Sequence, residues 1–289
     1  MLLEELLRCQ IQEWYPAFRR HTVPTAIIPL PAAFLRYLAG RTAYPDPDEG
    51  DQGPLPFVLP TLTSGRAPFP PLQGHFPDPV SLLDRDNTDP LFGDSDSDDE
   101  GEGLLPPAFP ELEAAVDAAI ADLGGAALPK LNWSAPKDAV FMAADGTVRC
   151  TCFAEVAMLL RASDCVAHDL DAEQESSDDD ETWVDDGFQY YLALRKWYPG
   201  LRPESEFRCF VRGRKLVGVS QRDPSAYYPS LPGWSAEVQP KIEDFFEEFI
   251  EPQFASENYT FDVYVRADGR VKLIDFNPWG GYTLPLLFT

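Results

Sequence analysis

Apolar residues recur at helical spacing from the start of this chain. Over residues 2–15 they fall near every third or fourth position, which predicts an amphipathic helix that ends before Pro16. A short apolar run at residues 26–30 follows, and after it comes a second helix that Gly40 can terminate. Two short helices and an apolar run therefore precede the first break in the pattern.

The periodicity is lost between Arg41 and Pro107, where Pro, Gly, Asp and Ser accumulate. Such a composition buries little apolar surface, so it predicts a flexible insertion over residues 41–107. Order resumes with a predicted helix at residues 110–123, which has Pro at its start, acids in its first turn and two glycines after its end.

The rest of the chain alternates between strand and helix patterns, with an acidic loop predicted at residues 169–186. The predicted elements are strands at 126–131, 139–143 and 188–195, a hairpin of 206–211 with 216–221, and helices near 153–160 and 236–250. Strands mixed with helices and joined by hairpins predict an α+β architecture, with two lobes on either side of residues 191–197.

A C-terminal hairpin at residues 260–277 is the most informative pattern. Asp268-Gly269 predicts a two-residue turn in which Ala267 pairs with Arg270. Counting back from that turn places Asp262 directly opposite Asp275. Like charges in that position destabilise a strand pair by up to about 1 kcal/mol, so we expect a cation to be held between or beside them.

Asn277 lies two residues beyond Asp275 and projects from the same face of the strand. Two carboxylates and an amide oxygen are hard ligands, and Asp262, Asp275 and Asn277 therefore predict a Mg²⁺ or Mn²⁺ site. A second interpretation is ordinary turn chemistry, because Asp-x-Asn-Pro is common where a strand ends. The residues alone leave both interpretations open.

The charge of the chain is strongly negative and unevenly distributed. The formal net charge is −25, and residues 94–102 and 169–186 together contribute sixteen acids and no base. Because nucleic-acid affinity depends on cationic contacts to phosphates, this composition argues against direct nucleic-acid binding. Basic proteins or a metal-bound nucleotide are the expected partners.

The sequence also suggests where the protein works. Two acids and a base within the first eight residues are unlike a secretory signal, and no run of eighteen apolar residues predicts a membrane span. Five cysteines without framework spacing indicate a reducing compartment. We therefore expect a cytoplasmic monomer that does not associate with membranes.

Candidate phosphate-binding cations stand upstream of the hairpin. Lys130 and Lys137 bracket a strand end and loop, although surface lysines exposed to solvent would look the same. The segment 195–197 combines a strand edge with a tryptophan, as a purine site needs, or it is a strand end that reaches solvent. Glu206 and Arg208 share one face of a strand, which an intrasheet salt bridge explains equally well.

These segments carry a resemblance to a known family. The chain resembles the cell division cycle protein 123 family at Pro129–Asp138 (PKLNWSAPKD), Leu194–Trp197 (LRKW), Glu206–Val211 (EFRCFV), Val219–Asp223 (VSQRD), Leu273–Pro278 (LIDFNP) and Leu286–Thr289 (LLFT). The LNWSAP and IDFNP strings are the most specific of these matches. Trp14-Tyr15-Pro16 and residues 28–31 (IPLP) are similar as well.

The resemblance implies an ATP-grasp-like fold in which ATP and Mg²⁺ bind between an N-terminal lobe, residues 1–193, and a C-terminal lobe, residues 194–289. The implied metal ligands are Asp262, Asp275 and Asn277. The implied nucleotide-binding residues are Lys130, Trp133, Ala135, Lys137, Arg195, Lys196, Trp197, Glu206, Arg208, Gln221 and Arg222.

Three functions are compatible with this site. The resemblance implies an assembly chaperone that binds the gamma subunit of eukaryotic translation initiation factor 2 and promotes formation of the heterotrimer. The alternatives are an ATP-grasp carboxylate–amine ligase and a scaffold without nucleotide. Opposed carboxylates have no evident purpose in an idle site, which argues against the scaffold. Whether ATP is turned over stays undecided.

Overall fold

The structure is a computed structural model that describes residues 3–40, 109–171, 188–280 and 283–288. The insertion predicted at residues 41–107, and residues 172–186 of the predicted acidic loop, lie outside this part of the chain. No helix within the described ranges is long and apolar enough to cross a membrane.

A first antiparallel sheet has the strand order β1-β3-β2, with β1 at Thr25–Pro29, β2 at Ala127–Lys130 and β3 at Tyr191–Lys196. Four helices contribute to its core: α3 (Ala32–Leu38), α4 (Pro110–Asp122), α5 (Phe153–Arg161) and α6 (Asp164–Asp171). The apolar stripe of α4, with Leu112, Val116 and Ile120, is buried in that core, as the 3.6-residue period predicts.

A second antiparallel sheet has the order β5-β4-β6-β7, with strands at Glu206–Arg212 (β4), Lys215–Gln221 (β5), Tyr259–Val265 (β6) and Val271–Pro278 (β7). Helix α7 (Leu231–Phe245) continues into a π-helical turn at Phe246–Ile250, and both pack on this sheet. The first two helices, α1 (Leu3–Arg8) and α2 (Ile11–Phe18), belong to the same core through residues such as Trp14 and Phe18. The α+β architecture is therefore confirmed.

Several predicted elements differ from the observed ones. The single helix predicted at 2–15 is two helices, and α2 runs through Pro16, which lies in its second turn. The strand predicted at 139–143 is a 3₁₀ helix, Lys137–Met142, because a short apolar run does not distinguish strand from helix. The predicted acidic loop begins later than residue 169, since α6 extends to Asp171.

The turn of the C-terminal hairpin is one residue longer than predicted. The Arg266 N–H donates to the Arg270 carbonyl over 2.9 Å, and the Gly269 N–H donates to the Arg266 carbonyl over 2.8 Å. Gly269 has a φ of 82°, in the left-handed region that glycine adopts without a steric penalty. The two-residue turn that paired Ala267 with Arg270 was wrong.

The predicted register is nevertheless correct further along the hairpin. Near the turn Val263 pairs with Leu273, but a β-bulge follows on β7, so Ile274 has no partner of its own. The bulge offsets the longer turn, and Asp262 lies directly opposite Asp275. The pairing of the two carboxylates is confirmed.

Gly269 offers a direct test of the turn. Replacement Gly269→Ala places a side chain at positive φ and should lower the free energy of unfolding by about 1 kcal/mol. Gly233→Ala, in α7 with open space around its Cβ position, should leave stability unchanged or raise it by up to about 1 kcal/mol. Urea unfolding measures both, and equal effects of the two substitutions would contradict the turn geometry.

Candidate functional site

Lys130 and Asp275 join the two sheets. Lys130 ends β2 in the first sheet, and its Nζ donates to Asp275 Oδ2 on β7 over 2.5 Å. The same Nζ donates to the Trp133 carbonyl over 2.5 Å. The lysine side chain is only 4% exposed. A buried ammonium is costly without a partner, so this ion pair ties the sheets at one point.

Asp262 has cations of its own. Arg208 lies opposite it on β4, and the guanidinium donates to both carboxylate oxygens over 2.8 Å each. Arg222 Nε donates to Asp262 Oδ2 over 3.2 Å. Burial alone would lower the pKa of Arg208, but the hydrogen bonds to Asp262, together with the negative charges of Asp262 and Asp275, outweigh it and raise that pKa. The charge pair is therefore Arg208 with Asp262, not the Glu206–Arg208 pair considered from the sequence.

Arg195 is a buried cation beside this cluster. It lies on β3, and its Nη2 donates to Thr22 Oγ1 over 3.2 Å, while Thr22 Oγ1 donates to the Leu273 carbonyl over 2.7 Å. Burial lowers the pKa of Arg195, and Asp275 acts in the opposite direction. The sequence analysis missed Thr22, since nothing in its local sequence marks it as the link between the sheets.

Four buried polar atoms near the ion pairs have no hydrogen-bond partner: Asp275 Oδ1, Asn277 Nδ2, Thr260 Oγ1 and Arg195 Nε. Buried polar groups are normally paired, so this concentration of unpaired atoms indicates a place where a polar ligand fits. Thr260 pairs with Asn277 in the ladder, one step beyond the Asp262–Asp275 pair on the same face.

The donor set fits a hard divalent cation. Asp275 Oδ1 is free of hydrogen bonds, and the Asn277 amide presents its oxygen after half a turn about its last bond. Asp262 uses three of about four acceptor positions for the arginines, which leaves one. Within the described ranges, no group of three or more His, Cys, Asp or Glu residues could hold a metal ion, so Mg²⁺ here would need water or phosphate as further ligands.

Glu206 and Lys137 lie at the edge of the cluster. Burial raises the pKa of the Glu206 carboxyl, and the nearby charge of Lys137 acts in the opposite direction. Lys137 is exposed at the start of the 3₁₀ helix, and its N–H donates to the Ala135 carbonyl over 2.7 Å. A cation on a solvent-facing turn is free to reach a ligand.

Other predicted site residues direct their side chains away from the ion pairs. Lys196 Nζ lies near Gly124, Trp197 packs against the first core, and Gln221 donates to the Pro203 carbonyl from the opposite face of the second sheet. The Trp133 indole stacks on Phe188 and donates to the Leu6 carbonyl, so Trp133 reaches the cluster through its main chain.

Together these features define a class: an α+β protein in which buried ion pairs lie between two antiparallel sheets, beside polar atoms without a hydrogen-bond partner. The D123 family model matches residues 14–289, and the chain belongs to the D123 family. The predicted membership is thereby confirmed.

Named relatives are similar over the whole chain. The translation initiation factor eIF2 assembly protein of Xenopus laevis is 38% identical over 290 residues, which cover 100% of this chain and 77% of that protein. Cell division cycle protein 123 of Phaeosphaeria nodorum is 36% identical over 283 residues, covering 95% and 65%. The solved structure of Cdc123 from Schizosaccharomyces pombe is 30% identical, with a TM-score of 0.69 and coverage of 100% and 90%.

Arg208 should matter more to stability than Arg222. Its side chain is 3% exposed and makes two bonds to Asp262, whereas Arg222 is 27% exposed and makes one. Arg208→Ala leaves a buried carboxylate short of a partner and should cost about 3 kcal/mol of unfolding free energy. Arg222→Ala should cost about 1 kcal/mol or less. Urea unfolding of both variants checks the order, and a larger loss for Arg222→Ala would contradict it.

Proposed function

We propose that this chain binds ATP with Mg²⁺ in the cleft between the two sheets. The observation that carries the proposal is the set of unpaired atoms on Asp275, Asn277 and Arg195 beside an ion-paired cluster. Phosphate groups need cationic donors, and Mg²⁺ needs carboxylate and amide oxygens; both kinds of group meet here.

In this proposal the two sheets contribute different groups. The first sheet supplies Lys130 and Arg195, and the second supplies Asp262, Asp275 and Asn277. Bound Mg²⁺ would neutralise phosphate charge. Arg195 Nε, buried and unpaired, would donate to a phosphate oxygen. Lys130 would donate to a phosphate oxygen in place of Asp275 Oδ2.

We propose an ATP-grasp-like arrangement of two lobes, residues 1–193 and 194–289, with β3 crossing this boundary and keeping residues 194–196 in the first sheet. Residues 196 and 197 would contribute only their main chain at the adenine end, because the side chains of Lys196 and Trp197 point away from the ion pairs. Gln221 stays the weakest member of the predicted set, because its amide is already used on the far face of the sheet. Lys130, Lys137, Arg195, Arg208 and Arg222 form the phosphate end.

The physiological role we propose is assembly of eukaryotic translation initiation factor 2 through binding of its gamma subunit. The support is the similarity to eIF2 assembly proteins, such as that of Xenopus laevis, to which this chain is 38% identical. We further propose that it acts as a monomer in the cytoplasm. Its net charge of −25 favours a partner surface that is basic.

The metal role of Asp275 can be tested on one hairpin. Asp275→Asn keeps the shape of the side chain but removes its charge. The additional rise in melting temperature that Mg²⁺ gives in the presence of ATP should therefore vanish. The affinity for Mg-ATP should fall at least about tenfold, which corresponds to about 1.4 kcal/mol. Asp268→Asn, in the exposed turn of the same hairpin, is the control and should behave as the unaltered chain. Melting with ATP, with and without Mg²⁺, is the measurement. An unchanged Mg²⁺-dependent shift for Asp275→Asn would refute the assignment.

Coupling between ATP and the partner follows from linkage. If Mg-ATP favours a lobe arrangement that the gamma subunit prefers, each ligand must tighten the other by the same factor. Titration calorimetry of each with and without the other should give equal ratios, and Asp275→Asn should bring both ratios to one. Affinities that are independent of the second ligand would refute the coupling, and the absence of gamma-subunit binding would refute the partner. Phosphate release at a steady rate, dependent on an amine and a carboxylate substrate, would instead indicate a ligase.

A further inference from the structure

Helix α6 is bonded to the middle and to the far end of one segment of the site. This segment, residues 130–138, begins at Lys130 and includes Lys137; we call it the lysine loop. At its far end Asp138 accepts hydrogen bonds from Ser163 Oγ over 2.6 Å and from the Cys165 N–H over 3.2 Å. Both donors lie at the start of α6, so the loop caps the helix.

At the other end of α6, Asp169 holds Ser134. The Asp169 carboxylate accepts the Ser134 N–H and the Ser134 Oγ–H, each over 2.8 Å. Asp169 is 7% exposed, and its carbonyl accepts a hydrogen bond from the Tyr190 hydroxyl over 3.1 Å. The helix therefore spans the loop from Asp138 to Ser134.

Before Ser134, the lysine loop is held at Asn132, which bonds to Gln10 and Gln189, and at Trp133, whose indole bonds to the Leu6 carbonyl. Two further bonds lie within this part of the loop. The Leu131 N–H donates to the Ser134 carbonyl over 2.8 Å, and Lys130 Nζ donates to the Trp133 carbonyl. Ser134 is thus the point where the turn after Lys130 and the anchor on α6 meet. Without the bonds from Ser134 to Asp169, the turn that places the Trp133 carbonyl near Lys130 would lose one of its anchors, and the backbone that leads to Lys137 would lose its nearest one.

The buried carboxylate of Asp169 has a desolvation cost that a neutral side chain in the same place would avoid. Burial raises the pKa of the Asp169 carboxyl, while the hydrogen bonds from Ser134 oppose that rise. A neutral side chain would hold the same turn at a lower desolvation penalty. A carboxylate here makes two charge-assisted bonds to one residue, which restricts that residue more tightly than a neutral acceptor would.

We propose that α6 is a strut that positions the two lysines for the nucleotide phosphates, with Asp169 and Asp138 as positioning residues that do not touch the nucleotide. This inference rests on the proposed nucleotide site and adds residues that the sequence analysis had assigned to an acidic loop or left without a role. It predicts that loss of Asp169 weakens the binding of the nucleotide phosphates and leaves the binding of the adenine base unchanged.

The test compares ATP with adenosine. Asp169→Ala should weaken Mg-ATP binding at least about tenfold, because the lysines lose their fixed position, while adenosine affinity should stay within about twofold. Calorimetry measures the first, and ligand-observed NMR measures the second. Asp164→Asn, an exposed acid at the start of the same helix, is the matched control and should leave both affinities unchanged.

A conservative variant separates positioning from mere stability. Asp169→Asn can still accept the Ser134 N–H and can donate to Ser134 Oγ, so it should recover most of the Mg-ATP affinity that Asp169→Ala loses. If Asp169→Ala does not fold, Ser134→Ala removes one of the two bonds and should give a smaller loss with the same preference for ATP over adenosine. Amide hydrogen exchange at Ser134 should accelerate in Asp169→Ala, with or without nucleotide.

The outcomes are distinguishable. Equal Mg-ATP affinity in Asp169→Ala and the unaltered chain would overturn the strut, and so would equal losses for ATP and adenosine. Unchanged exchange at Ser134 would overturn it independently of any ligand. No ATP binding by the unaltered chain would overturn the proposed function, and with it the role of the strut in nucleotide binding, whereas the exchange measurement would still report whether Asp169 holds the loop.

Discussion

Two carboxylates that face each other on neighbouring strands repel unless each has a cation, and here the cations come from different parts of the fold. Asp262 is neutralised within its own sheet by Arg208 and Arg222, whereas Asp275 is neutralised by Lys130 from the other sheet. The negative charge of Asp275, which repels Asp262 within the hairpin, thereby attracts Lys130 of the other sheet. The sheets are joined at this buried ion pair, and Thr22 joins them a second time through Arg195 and the Leu273 carbonyl.

That arrangement explains why a ligand could act on the fold as a whole. In the proposed function, an anionic phosphate would compete with Asp275 for Lys130, and a divalent cation would compete with Lys130 for Asp275. In that function, Lys130 would hold a phosphate of the nucleotide and Asp275 would hold the metal ion, in place of their direct ion pair. A ligand that replaces the Lys130–Asp275 ion pair would bind with different affinities to different relative positions of the two sheets. Such a difference in affinity is required if the ligand is to be coupled to a partner.

The local sequence pattern predicted the pairing of the two carboxylates and several of the helices, for physical reasons that differ between elements. The pairing of Asp262 with Asp275 was predicted by counting back from a two-residue turn, and it is correct because the bulge at Ile274 offsets a turn that is one residue longer. The helix α4 was predictable from Pro110, its acidic first turn and the glycines that follow it. In contrast, the 3₁₀ helix at residues 137–142 is joined to α6 through Asp138, a contact between distant segments that the local periodicity of the sequence cannot indicate. The same limit applies to Thr22, whose role depends on β3 and β7, and to Lys196, whose side chain faces away from Arg195 because neighbours on a strand point to opposite faces.

The most direct test of the proposed cleft is a crystal structure of the chain grown with ATP and Mn²⁺, read through the anomalous signal of the metal. The account predicts a manganese peak about 2 Å from Asp275 Oδ1 and from the side-chain oxygen of Asn277, with Lys130 and Arg195 on phosphate oxygens. A manganese peak elsewhere, with Lys130 still paired to Asp275 and Arg195 Nε still without a partner, would contradict it.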